Sequence, residues 1–243
     1  MDRKLALEKT ACITAVFLVI LLAAPGYGSS APAAAPAPTG AFEVRGGEVY
    51  DAQGRIANFR GVNIAGNAKL APDHLPFQPE ETVWWDRLEE WGFNLARFCV
   101  FWEGIEPEKG VFDEAYLDRV ERLLDGAAER GIYVMVDMHQ DIFSRFLGGD
   151  GAPRWAVEAA GVDPDNNNGF GGPLWSWSNV FSSDLRKCIT NFWRSDELKA
   201  HYRDAFVEVA RRVADNPYVL GYDIMNEPGA GEIDNAGGAF ENG

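Results

Sequence analysis

Gly221-Tyr222-Asp223-Ile224-Met225-Asn226-Glu227-Pro228 is the stretch on which the fold turns. It is short and mostly apolar, and it carries an aromatic and a β-branched residue, which is the composition of a buried strand. Proline lacks the N–H that a sheet ladder needs and disfavours helix at the residue before it, so the strand is expected to stop at Asn226-Glu227-Pro228. A carboxylate at the C-terminal tip of a buried parallel strand stands where α/β barrels do their chemistry.

Outward from that strand, elements alternate. Arg60 to Ile64, Phe93 to Val100 and Ile132 to Met138 read as earlier core strands, nearly continuous apolar runs of the kind that strands covered on both faces require. A helix is expected over Glu80 to Trp91, with Trp84, Leu88 and Trp91 on one stripe and Gly92 as its stop. Asp113 can cap a second helix with Tyr116, Leu117, Val120, Leu123, Leu124 and Ala127 on one face, ended by Gly131. Ser195 can cap a third, striped by Leu198, Tyr202, Phe206, Val209 and Val213, before Asp215-Asn216-Pro217 turns the chain into the opening strand. Between His139 and Arg194 no long periodic segment is evident, only room for a short helix over Ala152 to Ala160. Unpatterned stretches of that length are often functional. Near the start, Phe42-Glu43-Val44 and Glu48-Val49-Tyr50 flank Gly46-Gly47, a hairpin that would plug one end of the fold. Right-handed crossovers make the four core strands parallel. The fold class is therefore α/β, a (β/α)8 TIM barrel of which this chain covers about the first four β/α units. A doubly wound sheet is the alternative, but no Gly-rich phosphate turn follows the first strand.

Composition narrows the function. The chain has 243 residues, 47% hydrophobic, and a formal charge of −15, which disfavours nucleic acid and any anionic membrane surface held by charge. It is silent on neutral sugars and lipids. Arg3, Lys4 and Lys9 precede an uncharged run from Ala11 to Ala24, too short for a span of about 20 residues. With small residues at Gly26 and Gly28, residues 1–28 read as a secretory signal peptide ahead of an uncleaved anchor. Residues 29–40 read as an Ala/Pro-rich linker, and 41–243 as part of one catalytic domain. Cys12 would leave with the signal, Cys99 is expected as a buried thiol and Cys188 falls in a loop.

Hydrolysis of a glycosidic bond needs two carboxyl groups, one to protonate the leaving oxygen and one as nucleophile or base. Glu227 suits the acid, because a half-buried carboxyl can hold its proton towards neutral pH. An isolated glutamate would read more plainly as capping a neighbouring loop, but Asn-Glu-Pro after a buried strand favours the acid. Strict alternation puts Asn226 and Glu227 on opposite faces unless the strand ends between them. Asp137 and His139 share a face of their strand. Arg97, a charge inside a strand, needs a buried anionic partner, for which a catalytic carboxylate is the natural candidate. Lys69 and Asp141 sit on rim loops, free to bond hydroxyls or face solvent. Asp137, His139 and Asp141 with His74 or His201 lack metal-ligand spacing. Asp163 to Gly169 misses the calcium-loop pattern, with its glycine one place late and Leu174 where a glutamate belongs. No metal and no cofactor is expected.

Arg60-Gly61-Val62-Asn63, Phe93-Asn94-Leu95-Ala96-Arg97, Val136-Asp137-Met138-His139 and Ile224-Met225-Asn226-Glu227-Pro228, in this order, resemble glycoside hydrolase family 5, the cellulase-like retaining enzymes. Within it, Met138 to Arg145, Gly148 to Pro153 and Trp102 to Pro107 resemble endoglycoceramidases, and the resemblance covers 41–243. It implies Glu227 as acid/base, Asn226 as partner of a sugar 2-hydroxyl, Arg97 as support for the nucleophile, and sugar contacts from His139, Asp141 and Lys69. Such enzymes cut between the glycan and ceramide of glycosphingolipids. The aromatic loop from Phe143 to Trp193 would suit a lipid-accommodating mouth with Trp175 or Trp177 stacked on sugar, or else a small subdomain burying its own rings. The family's nucleophilic glutamate ends the seventh strand and is expected beyond Gly243; Glu232 and Glu241 are poor substitutes, so residues 41–243 alone should be inactive and prone to aggregate. The expectation is a secreted retaining glycosidase acting on a glycolipid or oligosaccharide, monomeric at full length, touching lipid surfaces only in passing through its substrate. A polysaccharide-cleaving β-glucanase and a non-catalytic sugar- or lipid-binding protein are the alternatives.

Overall fold

The computed structural model describes residues 42–231; the expected signal segment and linker, Cys12, Glu232 and Glu241 lie outside the described residues. Strands β1 (Glu43–Arg45) and β2 (Glu48–Tyr50) pair antiparallel across Gly46-Gly47, whose φ angles of +61° and +86° are the left-handed pair that a tight hairpin asks of glycine. Phe42, just before β1, packs its ring 5.4 Å from Phe59 and 5.2 Å from Tyr133, and Tyr133 lies 5.2 Å from Tyr218. These rings gather where the later strands begin, so the hairpin closes the end away from the strand C-termini.

The sheet is four parallel strands in chain order: β3 (Gly61–Ile64), β4 (Leu95–Val100), β5 (Tyr133–Met138) and β6 (Val219–Asp223). Sequential parallel order is barrel topology, not the reversing order of a doubly wound sheet. Helices α1 (Val83–Glu90), α2 (Trp102–Ile105), α3 (Glu114–Ala128), α4 (Arg154–Ala159), α5 (Ser178–Phe181), α6 (Ser183–Arg194) and α7 (Asp196–Arg212) fill the crossovers. One face of the sheet lies under helices: Ala96, Phe98, Val100, Val134, Val136 and Met138 are at most 1% exposed. The other face, with Leu95, Arg97, Tyr133 and Met135, is half-buried. Cys99, Asp137 and Asp223 share one rung of this second face, next to the rung of Arg97 and Met135. Leu220 is the extra residue of a bulge where β6 meets β5.

Asp113 accepts a hydrogen bond from the Tyr116 amide at 2.9 Å, and α3 buries the six residues expected of it. Ser195 caps α7 through the Leu198 amide at 3.2 Å, with Leu198, Tyr202 and Val209 buried. The structure differs in four places. In α1 the buried residues are Trp85 and Leu88, whereas Trp84 and Trp91 are 46% and 64% exposed. Periodicity offered two adjacent tryptophans, and the stack of Trp85 on Phe98 at 6.4 Å chose between them. In the supposedly unpatterned stretch, α4 matches the short helix expected, but α6 was unforeseen. Its buried Leu185, Cys188 and Phe192 are separated by mostly polar residues, Ile189 excepted, and Ser182 caps it through the Leu185 amide. Cys188 therefore lies on a helix; it and Cys99 are buried, free thiols. Lastly, β6 begins and ends earlier than the opening stretch suggested, stopping at Asp223.

Candidate active site

Parallel strands of a barrel deliver side chains to their C-terminal rim, and here that rim is charged. Arg97 of β4 donates to Asp223 Oδ2 at 2.6 Å from Nη2 and 3.2 Å from Nε. The same Nη2 lies 3.1 Å from Asp137 Oδ1. Asp137, on β5, is fully buried, and its Oδ2 sits 2.7 Å from His139 Nδ1. His139 Nε2 is 3.7 Å from Asp141 Oδ2, and Asp141 is paired in turn with Lys69. Lys69, Asp141, His139, Asp137, Arg97 and Asp223 thus form one row that alternates in sign across three strands and the loops that follow β3 and β5. Asp150, near the far end of the Asp141 loop, lies 3.9 Å from Lys69 and accepts from the Asp141 amide at 3.0 Å.

Electrostatics follow the geometry. Burial pulls the proton affinity of His139 down, but the carboxylates of Asp137 and Asp141 outweigh it and lift the imidazole to about 11. The ring is then an imidazolium, and its buried Nε2 has no hydrogen-bond partner among the described residues. Asp141 is held well below the carboxylate range by His139, against burial, with Lys69 adding to the effect. Burial, then the charge of Asp141, pushes Asp150 up to about 7.

The segment carrying Asp141 is bent to fit. Ile142 and Phe143 hold φ of +46° and +71°, a left-handed pair costly for a β-branched and an aromatic residue. The chain then returns so that Asp150 bridges Asp141, a return that Gly149 permits: a Cβ there would collide with the Asp141 carbonyl. A cavity of about 30 Å³ lies behind the row, between His139, Gln140, Tyr202 and Met225. A larger hollow of about 230 Å³, beside Glu121, Asp125 and Arg212, adjoins the turn into β6, at the opposite end from this chemistry.

Asn226 and Glu227 follow the end of β6, so the alternation of a pleat does not govern them. Asn226 is fixed on three sides: its amide donates to the Met138 carbonyl at 3.2 Å, its Nδ2 to the Gln140 carbonyl at 3.0 Å, and its Oδ1 accepts from Arg97 at 2.9 Å. Tyr202 donates its hydroxyl to the Ile224 carbonyl at 2.8 Å, steadying the same segment. Glu227 adopts a left-handed φ of +42° and its side chain is exposed, which corrects the half-buried strand tip that was expected. The reason is that it lies past the strand end, beside an edge strand with no outer partner among the described residues.

Other expectations fare unevenly. Arg97 does find anionic partners, but they are the aspartates Asp137, buried, and Asp223, half-buried, rather than a catalytic glutamate. Lys69, His139, Asp141, Arg97 and Asn226 come together as one network. Trp177 stands apart, 52% exposed at the end of a 3-10 turn over Gly172–Trp177, with its ring 5.7 Å from Phe181. Leu174, Trp175, Val180 and Phe181 around it are exposed too, so these aromatics do not bury one another. His74 is taken up by Arg145 at 2.8 Å and His201 by Glu106 at 2.6 Å, away from the ligand sets weighed for them. Sequence reasoning missed Gln140, Asp150, Asp223 and Tyr202 as members of the network. Asp223 and Asp150 lay in stretches quoted for other reasons, whereas Gln140 and Tyr202 carried no chemical signal of their own.

A parallel barrel whose C-terminal rim brings carboxylates, an imidazolium and an arginine beside an Asn-Glu pair defines the glycoside-hydrolase class of barrels. The chain belongs to the cellulase family, glycosyl hydrolase family 5, whose model matches residues 50–238. It is 31% identical over 196 residues to endoglycoceramidase I of Rhodococcus hoagii, covering 80% of this chain and 38% of that protein. Over 249 residues it is 30% identical to a glucosylceramidase of Cryptococcus neoformans var. grubii, covering 79% of this chain and 34% of the relative. Among solved structures it is similar to endo-glycoceramidase II from a Rhodococcus species in complex with an iminocyclitol, with a TM-score of 0.66 and 38% identity over 76% of this chain and 42% of that one. That Rhodococcus protein has also been solved as a lactosyl-enzyme intermediate and with ganglioside GM3. The chain therefore spans little more than a third of the length of these curated relatives.

Proposed function

We propose that the protein is a retaining glycoside hydrolase that cleaves the bond between glycan and ceramide of glycosphingolipids. Glu227 is its proton donor and later its base, and the nucleophilic glutamate comes from sequence beyond Gly243. One observation carries the reading. Glu227 directly follows an asparagine fixed from three sides at the rim of a barrel whose relatives are named endoglycoceramidase and glucosylceramidase. In this reading Asn226 bonds the sugar 2-hydroxyl, His139, Asp141 and Lys69 contact further hydroxyls, and the exposed Trp177 stacks on a sugar face. The N-terminal segment exports the protein, and the substrate is its contact with lipid.

The test is hydrolysis of ganglioside GM3 by the full-length protein, with Glu227→Gln in parallel. Release of the intact glycan, lost by at least about 100-fold in the variant, is the expected result, because general acid catalysis contributes about 10²–10⁴-fold. A β-glucanase reading is favoured by the family model's own description. Cleavage of cellulose oligomers with GM3 left intact would establish it instead.

A further inference from the structure

We propose that Gln140 is the positioning residue that fixes the backbone of Glu227, and so aims the acid/base carboxyl; the inference rests on the role of Glu227 given above. Glu227 holds φ at +42°, a conformation unfavourable for a glutamate and retained only where neighbours over-determine it. The neighbour that does so is one side chain. Gln140 Nε2 donates to the Asn226 carbonyl at 2.6 Å and to the Glu227 carbonyl at 2.8 Å. Those two bonds use both N–H groups of the primary amide. Its Oε1 accepts from the Phe143 amide at 2.7 Å, and its backbone carbonyl accepts from Asn226 Nδ2 at 3.0 Å.

Gln140 therefore ties together two strained left-handed segments, Ile142-Phe143 and Glu227, which lie far apart in sequence. The residue type is specified by this pattern. Glutamate would keep the acceptor for Phe143 and lose both donors; asparagine is one methylene too short; a hydrocarbon supplies neither. With both donors engaged by carbonyls, the side chain has none left for a sugar. Its influence on the reaction passes through Glu227, whose carboxyl must sit within hydrogen-bond reach of the leaving oxygen.

A misaimed acid harms the departure of a leaving group that needs a proton and spares one that does not. The experiment compares an alkyl β-lactoside with a dinitrophenyl β-lactoside in the full-length protein, using Gln140→Glu, Gln140→Asn and Glu227→Gln. For Gln140→Glu we expect kcat/KM on the alkyl lactoside to fall by about 30–100-fold, the scale of a small misplacement of a reacting group. On the dinitrophenyl lactoside it should fall by less than about threefold. The loss should shrink at acidic pH, where the introduced carboxyl takes up a proton and regains one donor. Equal losses on both lactosides, or no loss on either, would overturn the role of Gln140. Should Gln140→Glu fail to fold, Gln140→Asn decides by the same comparison. If Glu227→Gln shows no leaving-group dependence, the acid/base reading itself fails. If it shows that dependence and neither Gln140 variant does, the positioning inference fails alone.

Discussion

Arg97 donates to Asn226 Oδ1 at 2.9 Å from the same terminal nitrogen that faces Asp223 and Asp137. The arginine is thus both the counter-charge of a buried carboxylate and the clamp of the residue before the proposed acid. Arg97→Met removes one of the two cations, with His139, that face Asp137, which is 0% exposed. Leaving a buried charge wholly unpaired costs about 3–5 kcal/mol; because His139 still faces Asp137, a loss at the lower end of that range is expected by urea denaturation. Asp223→Asn, at a position 32% exposed, should cost less than half as much. Equal losses in the two variants would contradict this ranking.

His139 should not titrate near neutrality. Its affinity is raised from 6.5 to about 11, so the sign is that of a base gaining partners. The stabilisation it supplies is complete below 6.5 and is lost only as pH rises through the folded value. Ring NMR signals should report an imidazolium from pH 5 to 8, and Asp137→Asn should bring the midpoint down. A wild-type midpoint between 6 and 7 would sink the assignment.

Asp150 carries the opposite chemistry, an acid raised from 3.8 to about 7. The fold then binds this proton more tightly than the unfolded chain does, and the advantage is lost as pH rises through that interval. Asp150→Asn keeps an acceptor for the Asp141 amide and removes the titration. Its stability relative to wild type should therefore be greater at pH 8 than at pH 4, by up to about 4 kcal/mol. Thermal unfolding at the two pH values measures this, and a pH-independent difference would refute it.

Tyr202→Phe deletes one hydroxyl and its bond to Ile224 O at 2.8 Å. A loss of about 1 kcal/mol is expected from the bond itself. Because Ile224 leads into Asn226, turnover should also fall while Trp102 and Phe192, which flank the ring at 5.3 and 5.5 Å, keep the packing intact. Calorimetry and steady-state kinetics on the same preparation separate the two effects.

What could be read from the chain and what could not divides along physical lines. Helix α3 was legible because its cap and its stripe are local, and the four strands because each is a short, mostly apolar run between turn signals. The phase of α1 was not, since two adjacent indoles satisfy nearly the same periodicity and only the contact with Phe98 distinguishes them. Helix α6 hid behind polar residues on its open face. At the site, charged residues inside strands announced themselves, so Arg97 and Asp137 were found early. Gln140 was not, because a neutral amide between two charged residues has no signature until its carbonyl partners, 86 and 87 positions further on, are brought beside it.

The alternating row from Lys69 to Asp223 holds three cations and three anions, so it has almost no monopole although the chain carries −15. Fields from such a sequence of charges cancel within a few ångströms, leaving strong donors and acceptors at contact and little attraction at a distance. For the proposed glycan substrate, such a rim would select by hydroxyl geometry after arrival instead of drawing the ligand in by charge. Association of a neutral sugar with it should scarcely notice ionic strength.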